Sequence, residues 1–131
     1  MTEKELKQAI KEVVKQNYLH KEVNFGEGKG TFKVEDYRIW SRKSIGIERY
    51  EFEDYGIDED TQRFIIVEFW DAKNECDVTD CYCCIFTLNA KGQLGTSDTP
   101  YDFELDGAYD LAIEMADQIQ REFNRQKEGG S

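Results

Sequence analysis

The chain of 131 residues carries 28 Asp and Glu against 17 Lys and Arg, a net charge of −11, with 39% apolar and 13% aromatic content. That aromatic share excludes a disordered acidic segment, which lacks the apolar material to form a core. The acidity excludes bare duplex and anionic membrane as partners, because counterion release needs clustered Lys and Arg facing phosphates.

Thr2-Glu3-Lys4-Glu5 has the form of a capping box, so a helix starts here. Leu6, Ile10 and Val13 recur at the helical period, continued by Asn17 or Tyr18 and flanked by Ala9 and Val14. Lys4, Lys7, Lys11 and Lys15 make the opposite, basic face. His20, the single histidine, reads as a last-turn residue near the negative helix end. Gly26-Glu27-Gly28-Lys29-Gly30 is a loop or hairpin tip, since glycine admits positive φ. It leads into the alternation Thr31-Phe32-Lys33-Val34 rather than a helix, which excludes a phosphate-binding loop. Parity changes between Phe32, Val34 and Tyr37, Ile39, so Glu35-Asp36 marks a bulge or a break between two short strands. Ser41 to Ser44 reads as a turn.

Tyr50 and Phe52 alternate with Glu51 and Glu53, which predicts a strand from Ile47 to Tyr55 with one acidic, wet side. The chain then turns at Gly56 to Asp60. Phe64 to Trp70 is rich in β-branched and aromatic residues and reads as a central strand covered on both faces. After a turn at Asp71 to Asn74, the strand Asp80 to Leu88 places Tyr82, Cys84, Phe86 and Leu88 on one face and Cys81, Cys83, Ile85 and Thr87 on the other. Asn89-Ala90-Lys91-Gly92 is a hairpin turn into a short edge strand, Gln93 to Thr96. A connector through Pro100 ends the sheet. A second helix starts near Asp106 as N-cap, presents Ala108, Leu111, Ala112, Met115, Ile119 and Phe123 as its apolar stripe, and runs to about Lys127. The expected fold is α+β: an antiparallel meander of four to six strands flanked by an N-terminal and a C-terminal helix, one domain over residues 1–128, with 129–131 as a disordered tail.

Cys76, Cys81, Cys83 and Cys84 fall within nine residues, a spacing that suits neither mutual disulfides nor a zinc site. They read as reduced thiols. With no apolar leader in the first 20 residues, that points to the cytoplasm, with neither metal nor cofactor.

Charge is the distinguishing property. Residues 1–43 carry net +3 and the remainder −14. Glu48 to Asp60 hold seven carboxylates and one Arg, and the stretch from Lys91 to Arg121 holds no intervening cation but seven more carboxylates, Glu104 among them. Asp106, Asp110, Glu114 and Asp117 follow helical spacings of four, four and three. Neighbours at those spacings stand about 5–6 Å apart, close to the separation of phosphates along a strand. The candidate partner-binding set is therefore Glu51, Glu53, Asp54, Asp58, Glu59 and Asp60, together with Asp98, Asp102, Asp106, Asp110, Glu114 and Asp117. Such a surface would occupy a Lys/Arg-lined nucleic-acid channel of another protein, with Tyr55, Tyr101 or Tyr109 as anchors.

In size, charge and architecture the chain is similar to anti-CRISPR and anti-restriction proteins of phages and mobile elements, and to immunity proteins that cap nuclease toxins. The resemblance implies a non-enzymatic inhibitor, a nucleic-acid mimic whose partner is a basic nucleic-acid-binding protein. Two other classes compete. The helix–meander–helix order also resembles the core of PD-(D/E)xK nucleases, in which Asp71-Ala72-Lys73 would supply the acid-x-Lys element and Asp54 or Asp58 the upstream metal-binding acid. A sheet gripped by a long helix would instead enclose a small-ligand pocket lined by aromatics. Apolar residues on both sheet faces also leave a homodimer open.

Overall fold

In the computed structural model Thr2 caps the first helix, α1 (Glu3–Asn17): its hydroxyl accepts from the Glu5 amide at 3.1 Å, and the Glu5 carboxylate takes the Thr2 amide at 2.9 Å. The structure describes residues 1–45, 49–54, 56–71, 81–98 and 106–129, without the side chains of Arg49 and Glu51. The chain continues through a short hairpin, β1 (Glu22–Asn24) and β2 (Thr31–Lys33), into β3 (Asp36–Lys43) and a short helix, α2 (Arg49–Asp54). Next come β4 (Thr61–Trp70), β5 (Tyr82–Asn89) and β6 (Leu94–Ser97), and then α3 (Tyr109–Gly129). β3 to β6 form one antiparallel sheet in the order β3-β4-β5-β6, so the fold is the α+β meander with terminal helices that the periodicities predict.

One face of the sheet lies under the two long helices. Ile65, Val67, Phe69, Cys84, Phe86 and Leu88 meet Leu6, Ile10, Val13 and Val14 of α1 and Leu111, Met115, Ile119 and Phe123 of α3 in one core. Fully burying each aliphatic or aromatic side chain contributes roughly 1.5–3 kcal/mol, which fixes both helices on this face. α3 runs back along α1: the Tyr18 hydroxyl donates to Gln118 Oε1 at 2.8 Å, and Glu5 feels the charge of Lys127. The opposite face is apolar too, as expected for β4. Phe64, Ile66, Cys83 and Ile85 pack there with Ile57, Phe52 and Trp40. Glu68 is buried on that face, held by Arg38 (2.6 and 3.1 Å) and by the Trp40 indole N–H at 3.1 Å.

Five local expectations are corrected. Residues 49–54 are helical, not a strand, because Gly56 and Ile57 close a Schellman motif: the Ile57 amide donates to Phe52 at 2.8 Å and the Gly56 amide to Glu53 at 3.3 Å, with Gly56 at φ 64°. The buried Ile57 packs against Phe52 across that turn. Ser41 to Lys43 extend β3 instead of turning, since each has a partner on β4, Ser41 opposite Ile65 and Arg42 opposite Phe64. His20 lies beyond α1 in a left-handed conformation (φ 64°), its amide donating to Val34 at 2.7 Å. α3 starts at Tyr109 rather than near Asp106, because the first helical carbonyl is that of Ala108, while the Asp106 carbonyl accepts from Cys83 on the sheet. At its far end α3 includes Gly129, which the sequence places in the tail; residues 130 and 131 lie outside the described residues. So does the expected turn at Ala72 to Asn74.

Candidate partner-binding surface

The β1–β2 hairpin brings its tip to the start of α3. Gly26, Gly28 and Gly30 hold φ of 115°, 79° and 84°, which lets the chain reverse in the five residues between Phe25 and Thr31. Phe25 anchors the tip. It is 1% exposed and stacks on Phe32 with ring centroids 4.3 Å apart, against Tyr82 at 5.1 Å and Phe69 at 5.9 Å. Lys29 then spans the gap: its ammonium lies 2.6 Å from Asp106 Oδ1 and over the Tyr82 ring, and its carbonyl accepts from the Tyr82 hydroxyl at 2.8 Å. The hydrogen bond to Asp106, reinforced by the charges of Asp106 and Asp98, holds the Lys29 ammonium above its ordinary range, so it stays charged.

Around this junction lies a cleft of about 250 Å³ lined by Phe25, Glu27, Lys29, Asp98, Tyr109 and Asp110, among others. Two of the predicted acids, Asp98 and Asp110, thus line one cleft, and a third, Asp106, is joined to it through Lys29; all three are exposed. The outward side of α3 continues from there. Glu114 and Asp117 are exposed, with Asp117 paired to Arg121 at 2.9 Å one turn on. Tyr109 and Ile113, four residues apart, stand 42% and 49% exposed beside them. Glu114 also faces Tyr18, whose hydroxyl is pushed well above the usual phenol range by burial first and by the Glu114 charge second. The start of α3 therefore combines exposed acids with two exposed apolar side chains.

The second acidic group stands elsewhere. Glu53, Asp54, Asp58, Glu59 and Asp60 are all exposed. Asp58 closes the turn into β4, its carboxylate taking the Asp60 amide at 3.0 Å and its carbonyl the Thr61 amide at 2.9 Å. The Asp60 carbonyl accepts from Ala90 just past the end of β5, whereas the Asp106 carbonyl accepts from Cys83 near its beginning. At about 3.3 Å per residue the two groups are roughly 20 Å apart along β5. The structure gathers the α3 acids and separates them from Asp58 to Asp60. Glu48, Tyr55, Tyr101, Asp102 and Glu104 lie outside the described residues, as does the side chain of Glu51.

Asp58 precedes β4 and Asp71 follows it, so ten strand residues, roughly 30 Å, separate them and they cannot share an ion. Lys73 lies outside the described residues, and among those residues no three His, Cys, Asp or Glu side chains converge as metal ligands. Cys81, Cys83 and Cys84 are thiols outside any disulfide; Cys76 lies outside the described residues. Among the described residues no helix is long and apolar enough to cross a membrane. The Lys29 bridge and the exposed Ile113 escape sequence reading, whereas Tyr109 is one of the three anchors expected from it: nothing in the sequence brings residue 29 to residue 106, and an apolar residue on an amphipathic helix gives no sign that it faces outward. No protein-family model, curated protein or solved structure matches the chain.

Proposed function

We propose that this protein is a non-enzymatic, cytoplasmic inhibitor that binds another protein's basic nucleic-acid-binding surface through the start of α3. The observation that carries the reading is the meeting of Asp98 and Asp110 in the lining of one cleft, with Asp106 tied to the Lys29 of that lining, continued by Glu114 and Asp117 and flanked by exposed Tyr109 and Ile113. The acids supply long-range attraction to a Lys/Arg-lined site and set the rate of encounter. The apolar pair supplies the short-range contact that bulk polyanion lacks, so the patch favours a protein over a free cationic polymer. Spaced four and three residues apart, Asp110, Glu114 and Asp117 stand about 5–6 Å from their neighbours on the helix, near the separation of phosphates along a strand.

The test is capture from a bacterial lysate on the immobilised chain, followed by a salt series and a nucleic-acid binding assay on whatever is retained. The expected partner binds nucleic acid when free and not when complexed, and is released by salt. Changing Asp106, Asp110, Glu114 and Asp117 to Asn or Gln should abolish capture, while the same change at Asp58, Glu59 and Asp60 weakens it far less. Full capture by the α3 variant, or a partner that keeps its nucleic-acid binding in the complex, would overturn the reading.

A further inference from the structure

The sheet has two unequal edges. β6 offers four residues and has α3 packed against it, whereas β3 offers eight, and no described strand pairs with its outer side. The Ser44 amide donates to the Gln62 carbonyl at 3.0 Å, in continuation of the β3–β4 register. Hydrogen bonding in an antiparallel pair alternates along the strand, so the even-numbered residues of β3 bond to β4 and Tyr37, Ile39 and Ser41 turn their amides and carbonyls outward. Tyr37 agrees with this assignment: its amide donates to the neighbouring Asp36 carboxylate at 2.8 Å rather than to β4. An outward row of this length is a template for another strand.

We propose that β3 pairs with β3 of a second copy, antiparallel and centred on Ile39, joining the two sheets into one of eight strands. The two-fold axis of such a dimer stands perpendicular to the sheet, so residues directly opposite each other must share a face. That leaves few registers. Centred on Ile39, Asp36 stands opposite Arg42 twice over, Tyr37 opposite Ser41, Arg38 opposite Trp40, and Ile39 opposite its own copy. Every opposing pair is compatible: opposite charges, a cation beside an indole, and an apolar contact at the axis. Centred on Trp40, Arg38 would face Arg42; centred on Arg38, that arginine would face itself. Like charges directly opposite destabilise a sheet, so the sequence of β3 selects one register and disfavours its neighbours. This self-complementarity is what points to a second copy rather than a foreign strand. The contact lies on the sheet edge away from β6 and is independent of the α3 surface.

The experiment is sedimentation equilibrium of the full chain, with Asp36→Arg and Arg42→Asp made singly and then mixed. The wild type should run at twice the chain mass at micromolar concentration. Each single variant places like charges opposite each other twice and should raise the dissociation constant at least about tenfold. Mixing the two should restore a dimer, because the introduced arginine of one copy then faces the introduced aspartate of the other, and that rescue shows both variants folded. A wild type that stays monomeric would mean that Arg38, Arg42 and Lys43 guard the edge and would overturn the proposal. So would a dimer that persists in both single variants, or a mixture that remains monomeric.

Discussion

Lys29 Nζ stands 2.6 Å from Asp106 Oδ1, an ion pair that ties the β1–β2 hairpin to the approach of α3 across 77 positions of sequence. Both groups are partly exposed, so the pair contributes no more than about 1 kcal/mol to stability. Its larger effect is on the local field, because it places a cation among Asp98, Asp106 and Asp110. Lys29→Met keeps the contact with the Tyr82 ring and removes the charge. The expected result is an unfolding free energy changed by less than about 1 kcal/mol in urea, together with severalfold faster association with a basic partner at low salt, the difference fading as salt rises. Stopped-flow association rates check this, and slower association would contradict the role given to the cleft.

Tyr109 and Ile113 should act on dissociation, not on encounter. Truncating both to Ala is expected to shorten the lifetime of the complex by about tenfold or more while leaving the association rate near wild type. Neutralising Asp110 and Glu114 should do the reverse. Surface plasmon resonance separates the two rates.

Glu68 is buried with Arg38 and the Trp40 indole as partners. Removing one member of a buried pair leaves an uncompensated charge, which is strongly destabilising. The Arg38 side chain is itself 57% exposed, so water replaces part of what is lost. Arg38→Ala should therefore lower stability by about 2 kcal/mol, and Arg38→Lys by less. Chemical denaturation of the two variants checks the order, and equal stability of all three proteins would contradict it.

Acid should unfold the protein partly through its caps and pairs. The Arg125 guanidinium holds the Glu122 carboxyl below the usual carboxylate range, and the Thr2 amide does the same for Glu5. A carboxyl whose folded pKa is depressed contributes stability that is present above its unfolded value, near about 4.3, and is lost as pH falls through its folded value. Stability is expected to decline below about pH 4.3, and Glu122→Gln combined with Glu5→Gln to flatten that decline. Thermal melts from mildly acidic pH down to well below that value measure the slope; an unchanged slope in the double variant would remove these two groups from the account.

The thiols should differ sharply in reactivity. Burial first, then the neighbouring Cys83 and the Glu114 charge, push the Cys84 thiol well above its usual range, and Cys83 is only 2% exposed. Cys81 is half-buried. Mass spectrometry after a short pulse of alkylating agent at about pH 8 should find Cys81 labelled and Cys83 and Cys84 intact until denaturant is added. Early labelling of Cys84 would mean that the sheet opens beneath α3.

Much of this architecture is legible in the residues because the signals are local. The capping box at Thr2, the β-branched and aromatic run from Phe64 to Trp70 and the stripe from Ala108 to Phe123 each report an element without reference to the rest of the chain. Tyr50 to Asp54 mislead for the same reason: alternation over four residues outweighs the Gly-Ile helix stop, whose meaning depends on Ile57 reaching a buried site against Phe52. The acidic surface is legible as composition but not as geometry. Only the fold places Asp60 at one end of β5 and Asp106 at the other, and only the fold brings Lys29 between the α3 acids.

β4 has a strand on each flank and a packed layer on each face, with every residue from Phe64 to Phe69 less than a tenth exposed. Its amides can meet solvent deuterons only when the whole sheet comes apart. Hydrogen exchange there becomes a gauge of global opening, against which any slowing at Tyr37, Ile39 and Ser41 with rising protein concentration would stand out as a purely peripheral event.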